Sequence, residues 1–419
     1  MTGKYTLIFD GNFWLHKTFY IGAKIKTGKP FNFIDEPESD KNLLLWKLAL
    51  DFAAEIKRFE GVVNRIVYTV DSSSWRKQFL DTEYKANRVK SSSLNWNGIY
   101  DCHNEFIEAL EKLGVIISRV KNAEADDLIF AWSSHLNTEG QNAIIISGDN
   151  DLLQLVNMDQ SSGANTIYYN KFDKDMHVFP KFQSWLDQDE HATTNDIFNL
   201  PIDLISNTKQ NLRDIIKTGK MKSIEVNVMD FIFRKVLVGD SGDNVPPLNT
   251  TVKETKRGPI TYRVTDKHAN EIMSQFKDDK VFINQSHLFS DEHITQICTI
   301  AKSVIKIDKP IEDIITRWKT NRDLVFLHNN CIPKEVSTAM FENIEARYTK
   351  SLSGSELNSI LNKEKILEGS SYSKEKKTEF NESGLFKSIS ESSSDIKIVD
   401  TKDVKESSFD SGFWDNLMK

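Results

Sequence analysis

Covalent and metal staples are scarce in this sequence. Three cysteines (Cys102, Cys298, Cys331) are scattered over 419 residues with no CxxC pair, so neither a disulfide framework nor a cysteine-ligated zinc site is expected. The nine histidines form no HExxH or other close pair, which turns the search for metal chemistry away from zinc. No apolar run approaches the ~18 residues of a membrane span. The opening residues, MTGKYTLIFDGN, carry no apolar signal-peptide segment. The expectation is a soluble, cytoplasmic protein without a membrane partner. Net positive charge is missing too: 54 Lys plus Arg against 61 Asp plus Glu leaves −7. That balance argues against a polyanionic partner only if it is evenly spread, because local potential steers such a partner more than net charge does.

The first 170 residues alternate β-rich runs with helical apolar spacing. Strands are expected over 5–9 (YTLIF), 65–70 (RIVYTV), 115–120 and 143–147 (AIIIS), with helices over 42–59, 101–113 and 125–136. Such alternation predicts an α/β fold with a parallel sheet between helices, whose sites form beyond the carboxyl ends of the strands. From about 194 to 348 the strand signal fades, and a mostly α-helical second domain is expected. The stretch 351–419 has 16 Ser in 69 residues and reads as a disordered tail. Its end, 408–418 (SFDSGFWDNLM), regains apolar residues and suits a docking peptide built on Phe409, Phe413, Trp414 and Leu417.

Carboxylates cluster where that fold puts its sites. Asp10, Asp71 and Asp149 each follow a predicted strand; Glu124-Ala125-Asp126-Asp127 and Asp149-Asn150-Asp151 each open a helix. Helix capping explains any one of them. Together at one sheet edge they would repel unless cations neutralised them, and oxygen-only ligation selects Mg²⁺ or Mn²⁺. An EF-hand does not fit, because the glycine of its loop is missing after Asp149-Asn150-Asp151. Asp240 and Asp243, in GDSGDNVPP, form a further acidic pair in a tight loop. Clustered acids with two hard cations point to phosphoryl chemistry.

The segment 75–90 (WRKQFLDTEYKANRVK) supplies the matching cations. Arg76, Lys77, Lys85, Arg88 and Lys90 are interleaved with Trp75, Phe79 and Tyr84, a composition that grips single strands by phosphate contact and base stacking. Helical spacing would place Lys85 and Arg88 on one face beside Tyr84. Lys253, Lys256, Arg257 and Arg263 form another basic patch, suited to a duplex.

In this order, IFDGN, TVD, AEADDLI, SGDNDLLQL and VGDSGDNVPP resemble the motifs of the 5′-nuclease (flap endonuclease) family, which includes the 5′-nuclease domain of bacterial DNA polymerase I. The segment VDSSSWRKQF…YKANRVKSSSLNWNGIY is most similar to the ribonuclease H branch from T-even-like bacteriophages. The resemblance spans about 5–250. It implies a PIN-like catalytic domain over 1–190, with a helical arch or bridge near 72–100, and a helical duplex-binding domain, of a divergent helix-three-turn-helix type, over 191–350. It implies that Asp10, Asp71, Glu124, Asp126, Asp127 and Asp149 serve a first Mg²⁺, and Asp151, Asp240 and Asp243 a second. Lys85 and Arg88 would contact the scissile phosphate, and Tyr84 would stack on an unpaired nucleotide. The implied activity is 5′-to-3′ exonuclease, flap endonuclease and ribonuclease H cleavage of DNA and RNA–DNA duplexes during primer removal. A sliding clamp and a single-strand-binding protein are the implied partners of the tail.

The segment PPLNTTVKETKRGPITYRVTDK replaces the family's glycine-rich turn and basic helix, so the duplex-binding geometry and any potassium site there depart from the pattern. Two other classes stand beside this reading. A non-catalytic branched-DNA-binding protein would not need the complete acidic set. A small-molecule Mg²⁺ phosphohydrolase of the haloacid-dehalogenase type needs a second Asp where Asn12 stands.

Overall fold

The computed structural model describes residues 5–24, 32–88, 90–158, 164–178, 223–226, 228–255, 258–275, 288–305, 307 and 309–371. Strands β1 (Tyr5–Asp10), β2 (Val63–Thr69), β3 (Ile116–Ser118) and β4 (Asn142–Ser147) lie side by side in the order β3-β2-β1-β4, all parallel. Every residue of β1 is buried, as expected for a parallel strand covered on both faces. Beyond β4 the sheet becomes mixed. Strand β6 (Asn165–Asn170) pairs parallel with β4, but β5 (Asn157–Met158) and β7 (Asp175–Val178) run antiparallel to β6, and β8 (Ser223–Glu225) closes the edge.

Helices α1 (Gly11–Lys24), α2 (Pro37–Arg58) and α4 (Trp96–Lys112) cover one face around Phe9, Phe52, Tyr68 and Phe106. Helix α5 (Ala125–Thr138) covers the other, with Leu128, Trp132 and Leu136 against Ile8, Val67 and Ile145. Gly11 sits where the chain turns from β1 into α1; a Cβ there would lie 2.2 Å from the Thr69 carbonyl oxygen, so only glycine fits.

A second core joins α6 (Val228–Val238), α7 (Asp266–Ser274), α8 (Asp291–Ile305) and α9 (Ile311–Val325) around Phe233, Ile297 and Trp318. The helical character expected after 194 is present, with two departures. The segment that replaces the family's basic turn is an antiparallel hairpin, β9 (Thr250–Thr255) with β10 (Gly258–Arg263). Helix α10 (Lys334–Tyr348) leaves this core and packs on α5 and β3, burying Val336, Met340 and Ile344 with the sheet.

The expected tail also differs. Residues 354–369 form α11 (Gly354–Leu361) and α12 (Lys363–Gly369), which pack on α2 and α4 through Ile360, Ile366 and Leu367. Averaging over 69 residues hid these two short amphipathic segments. The expected docking peptide, with Phe409, Phe413, Trp414 and Leu417, lies outside the described residues. Among the described residues no helix is long and apolar enough to cross a membrane.

Candidate active site

The parallel strands deliver three carboxylates to one edge. Asp10 ends β1, Asp71 follows β2 and Asp149 follows β4. Asp10 is held by the Phe13 N–H (2.9 Å to Oδ1) and the Ser147 hydroxyl (2.7 Å to Oδ2). Asp71 accepts from the Ala125 N–H at 2.7 Å, which ties β2 to the start of α5. Asp149 caps the short 3-10 turn Asn150–Leu155, accepting from the Asp151 N–H at 2.9 Å. Glu124 and Asp126 flank the first turn of α5, and all of these acids line one cleft of about 750 Å³.

Asp240 and Asp243 enter the same cleft from the loop after α6. Gly239 makes that entry possible: its φ is +79°, and a Cβ would meet the Val245 carbonyl oxygen at 2.4 Å. One carboxylate oxygen each from Asp151, Asp240 and Asp243 lie within 4.8 Å of one another.

The loop from 81 to 88 is a series of turns, not the helix that the spacing of Lys85 and Arg88 suggested. Lys85 has φ +55°, a left-handed conformation held by its N–H donating to the Asp243 carbonyl oxygen at 2.9 Å. That turn aims its ammonium at Glu124 Oε1 (2.7 Å), with Asp243 Oδ2 at 3.7 Å. Arg88 pairs with Asp243 Oδ1. The Tyr84 hydroxyl donates to Asp243 Oδ2 at 3.0 Å, and its ring is buried with Val245 and Leu324. Tyr84 is therefore not presented to a nucleotide; it holds Asp243.

Two further expectations are corrected. Asp127 does not face the cleft: it is fully buried, closes the capping box of α5 and accepts from the Trp75 indole at 3.1 Å. Arg76 is 2% exposed, bridging Glu124 Oε2 (3.1 Å) and Asp127 Oδ1 (2.9 Å), so it is unavailable to a phosphate. Lys77 is exposed but outside the cleft lining. Lys90 and Arg263 do line the cleft; Lys90 lies 4.7 Å over the Tyr100 ring, in an aromatic end that includes Tyr20 and Trp96. Lys253 is on β9, and Lys256 and Arg257 lie outside the described residues.

One cation at the centre had no counterpart in the sequence reading. Lys235, in the last turn of α6, pairs with both Asp151 and Asp240. Its signal was positional: a lysine one and a half turns before Asp240, on a helix that runs into the acidic loop.

The electrostatics favour a divalent cation. Burial raises Asp10 to about 7, with Asp149 and Asp71 adding to the rise despite its two hydrogen bonds. Asp151 is likewise raised to about 7 by burial, and by Asp149, Asp240 and Asp243 against the pull of Lys235. Asp71, exposed at the cleft mouth, is raised to about 6 by desolvation among the cleft walls and by Glu124. Asp126 is pushed well up by burial, Asp149 and Asp10. Burial also opposes the charge on Asp243, but Lys85, Arg88 and Lys235 outweigh it and hold the group at about 2. A hard cation relieves the repulsion among the first four, and an all-carboxylate donor set is what Mg²⁺ and Mn²⁺ bind. The residues present fit such an ion. His16, buried beside Arg88 and Lys90, is lowered to about 4 and is neutral at pH 7.

Residues 5–183 match the family model of the 5′-3′ exonuclease N-terminal, resolvase-like domain. Over those residues the chain is similar to 5′-3′ exonucleases. A 5′-3′ exonuclease of Buchnera aphidicola subsp. Acyrthosiphon pisum (strain APS) is 27% identical over 152 residues, 36% of this chain and 48% of its own length. That of Buchnera aphidicola subsp. Schizaphis graminum (strain Sg) is 25% identical over 188 residues, 42% of this chain and 58% of its own. The chain thus spans about half the length of the curated relatives it matches. Among solved structures, the zinc-bound T5 5′-exonuclease aligns with a TM-score of 0.44 at 15% identity, over 87% of this chain and 98% of that one. Within the matched residues Asp10 ends β1, Asp71 and Asp149 follow β2 and β4, and Glu124 and Asp126 open α5.

Proposed function

We propose that this chain is a Mg²⁺-dependent, structure-selective 5′-nuclease that hydrolyses phosphodiesters at 5′ ends and flaps of DNA and RNA–DNA duplexes. Primer and flap removal during replication is its task. The observation that carries the reading is convergence: carboxylates from five separated segments share one cleft with Lys85, Arg88, Lys90 and Arg263. No small-molecule phosphohydrolase needs that long basic and aromatic lining.

Asp10, Asp71, Glu124, Asp126 and Asp149 serve one cation, and Asp151, Asp240 and Asp243 a second. The pair of ions, when bound, supplies an activated water and charge neutralisation at the leaving oxygen. Lys85 and Arg88 pass their charge from Glu124 and Asp243 to the entering phosphate. Lys90, over Tyr100, and Arg263 bind the strand outside the reacting position. Hydrolysis leaves a 5′-phosphate and a 3′-hydroxyl.

The test is a 5′-labelled flap duplex, in RNA and DNA versions, with Mg²⁺ or EDTA. Mg²⁺-dependent release of short 5′ products, lost in Asp71→Asn, is the expected result. Tight binding without cleavage in any divalent metal would overturn it in favour of a branched-DNA-binding protein. The segment 408–418 is proposed to dock on a sliding clamp or single-strand-binding protein. Deleting 405–419 with no loss of pull-down would sink that.

A further inference from the structure

The end of α9 meets the loop of Asp240 and Asp243 and the turn of Asp151 directly, and reaches Glu124 through Arg76. Asn321, fully buried, donates through Nδ2 to the Val236 carbonyl (3.0 Å) and the Pro246 carbonyl (2.8 Å), so it clamps both ends of the loop that carries Asp240 and Asp243. Three residues on, the Leu324 carbonyl accepts from Arg76 Nε at 2.9 Å, and Arg76 in turn holds Glu124. The Leu324 side chain packs on Tyr84 and Val245. Next, the Val325 carbonyl accepts from Gln154 Nε2 at 3.1 Å, and the Leu327 N–H donates to Gln154 Oε1 at 2.8 Å. The same Gln154 amide donates to the Asp151 carbonyl at 2.8 Å.

We infer that the α9 terminus, residues 321–327, is the common reference that spaces the carboxylates of the second cation, with Asn321 and Gln154 as its positioning residues. Asp151 and the Asp240–Asp243 pair come from segments almost 90 residues apart in sequence, and neither sits on a sheet strand that would fix the other. Both are indexed to one turn of helix through a buried amide. Gln154 is 7% exposed, so water competes little for its bonds. The inference rests on the cation-dependent reading above and extends it to residues that touch no ion.

The experiment uses the full chain and Mn²⁺ alone, titrated calorimetrically and by electron paramagnetic resonance, with thermal unfolding measured in parallel. Gln154→Met and Asn321→Leu each keep side-chain bulk and remove the bonds. Asn137→Leu is the control: Asn137 is a buried amide remote from the cleft that accepts from Asn157 at 3.2 Å and Thr166 at 3.3 Å. Roughly 10- to 100-fold weaker Mn²⁺ binding is expected in both cleft variants, the range for loss of partners that orient metal ligands. The double variant should fall short of the product of the two effects, because both act through the same turn. The control should lose thermal stability and keep its Mn²⁺ affinity. Unchanged Mn²⁺ affinity in a folded Gln154→Met or Asn321→Leu protein, whatever its unfolding temperature, overturns the positioning role alone. A wild-type protein that binds no Mn²⁺ overturns the metal-dependent reading and this inference with it.

Discussion

Replacing Arg76 by methionine separates a structural arginine from a phosphate-binding one. The guanidinium is buried, lies 4.6 Å from the Trp75 ring and satisfies Glu124, Asp127 and the Leu324 carbonyl at once. Methionine restores the bulk but leaves Asp127 a buried, uncompensated charge and Leu324 an unpaired carbonyl. Breaking one side of a buried ion pair costs roughly 3–5 kcal/mol. At an m-value of about 3 kcal/mol/M, this lowers the urea midpoint by roughly 1–2 M. Tryptophan fluorescence reports the transition. Adding Asp127→Asn to Arg76→Met removes the orphan charge while keeping an acceptor for the Trp75 indole and the Glu124 N–H, so about 1 kcal/mol or more should return. A midpoint within 0.3 M of wild type (about 1 kcal/mol) would refute the burial argument. So would a variant of normal stability whose affinity for DNA has a salt slope reduced by about one, the mark of a lost phosphate contact.

Other outcomes follow from the same geometry. In EDTA, Asp10, Asp71 and Asp151 bind protons more tightly in the folded than in the unfolded chain, so their contribution to stability should fall as pH rises from about 4 through 7. Mg²⁺ should therefore raise the unfolding temperature more at pH 7.5 than at pH 5; equal shifts would contradict the raised carboxylates. Truncation after 371 should leave the unfolding temperature of the body intact, whereas truncation after 351 strips Ile360, Ile366 and Leu367 from α2 and α4 and should lower it by roughly 5 °C or more. Gly11→Ala forces a methyl against the Thr69 carbonyl and should cost about 3 kcal/mol, read by the same urea titration.

Much of the nuclease-like half is legible from local pattern. The run YTLIF predicts β1 within one residue of its observed end, and AIIIS predicts β4 equally well, because a strand covered on both faces is written as an unbroken apolar run. The hairpin β9–β10 leaves only a local trace, the β-branched residues of TTVKET and GPITYR, which the expectation of a mostly α-helical domain after 194 does not take in. The role of Arg76 is hidden in the sequence for a physical reason. A basic residue between Trp75 and Phe79 looks the same whether it meets a phosphate or Glu124, 48 positions away.

The order of acids along the chain, their placement at strand ends and the hard-cation chemistry of an all-carboxylate set were determined by the sequence alone. These follow from strand and helix periodicity, which is local, and from ligand chemistry, which needs no coordinates. Which charges neutralise which was decided only by the tertiary structure. Lys235 between Asp151 and Asp240, Tyr84 on Asp243, Asp127 turned inward and the α9 terminus behind Asp151 all depend on contacts between distant segments. Coulombic and hydrogen-bond energies depend on separations of a few ångströms, and those are set by the packing of α6, α9 and the 81–88 turns against the sheet.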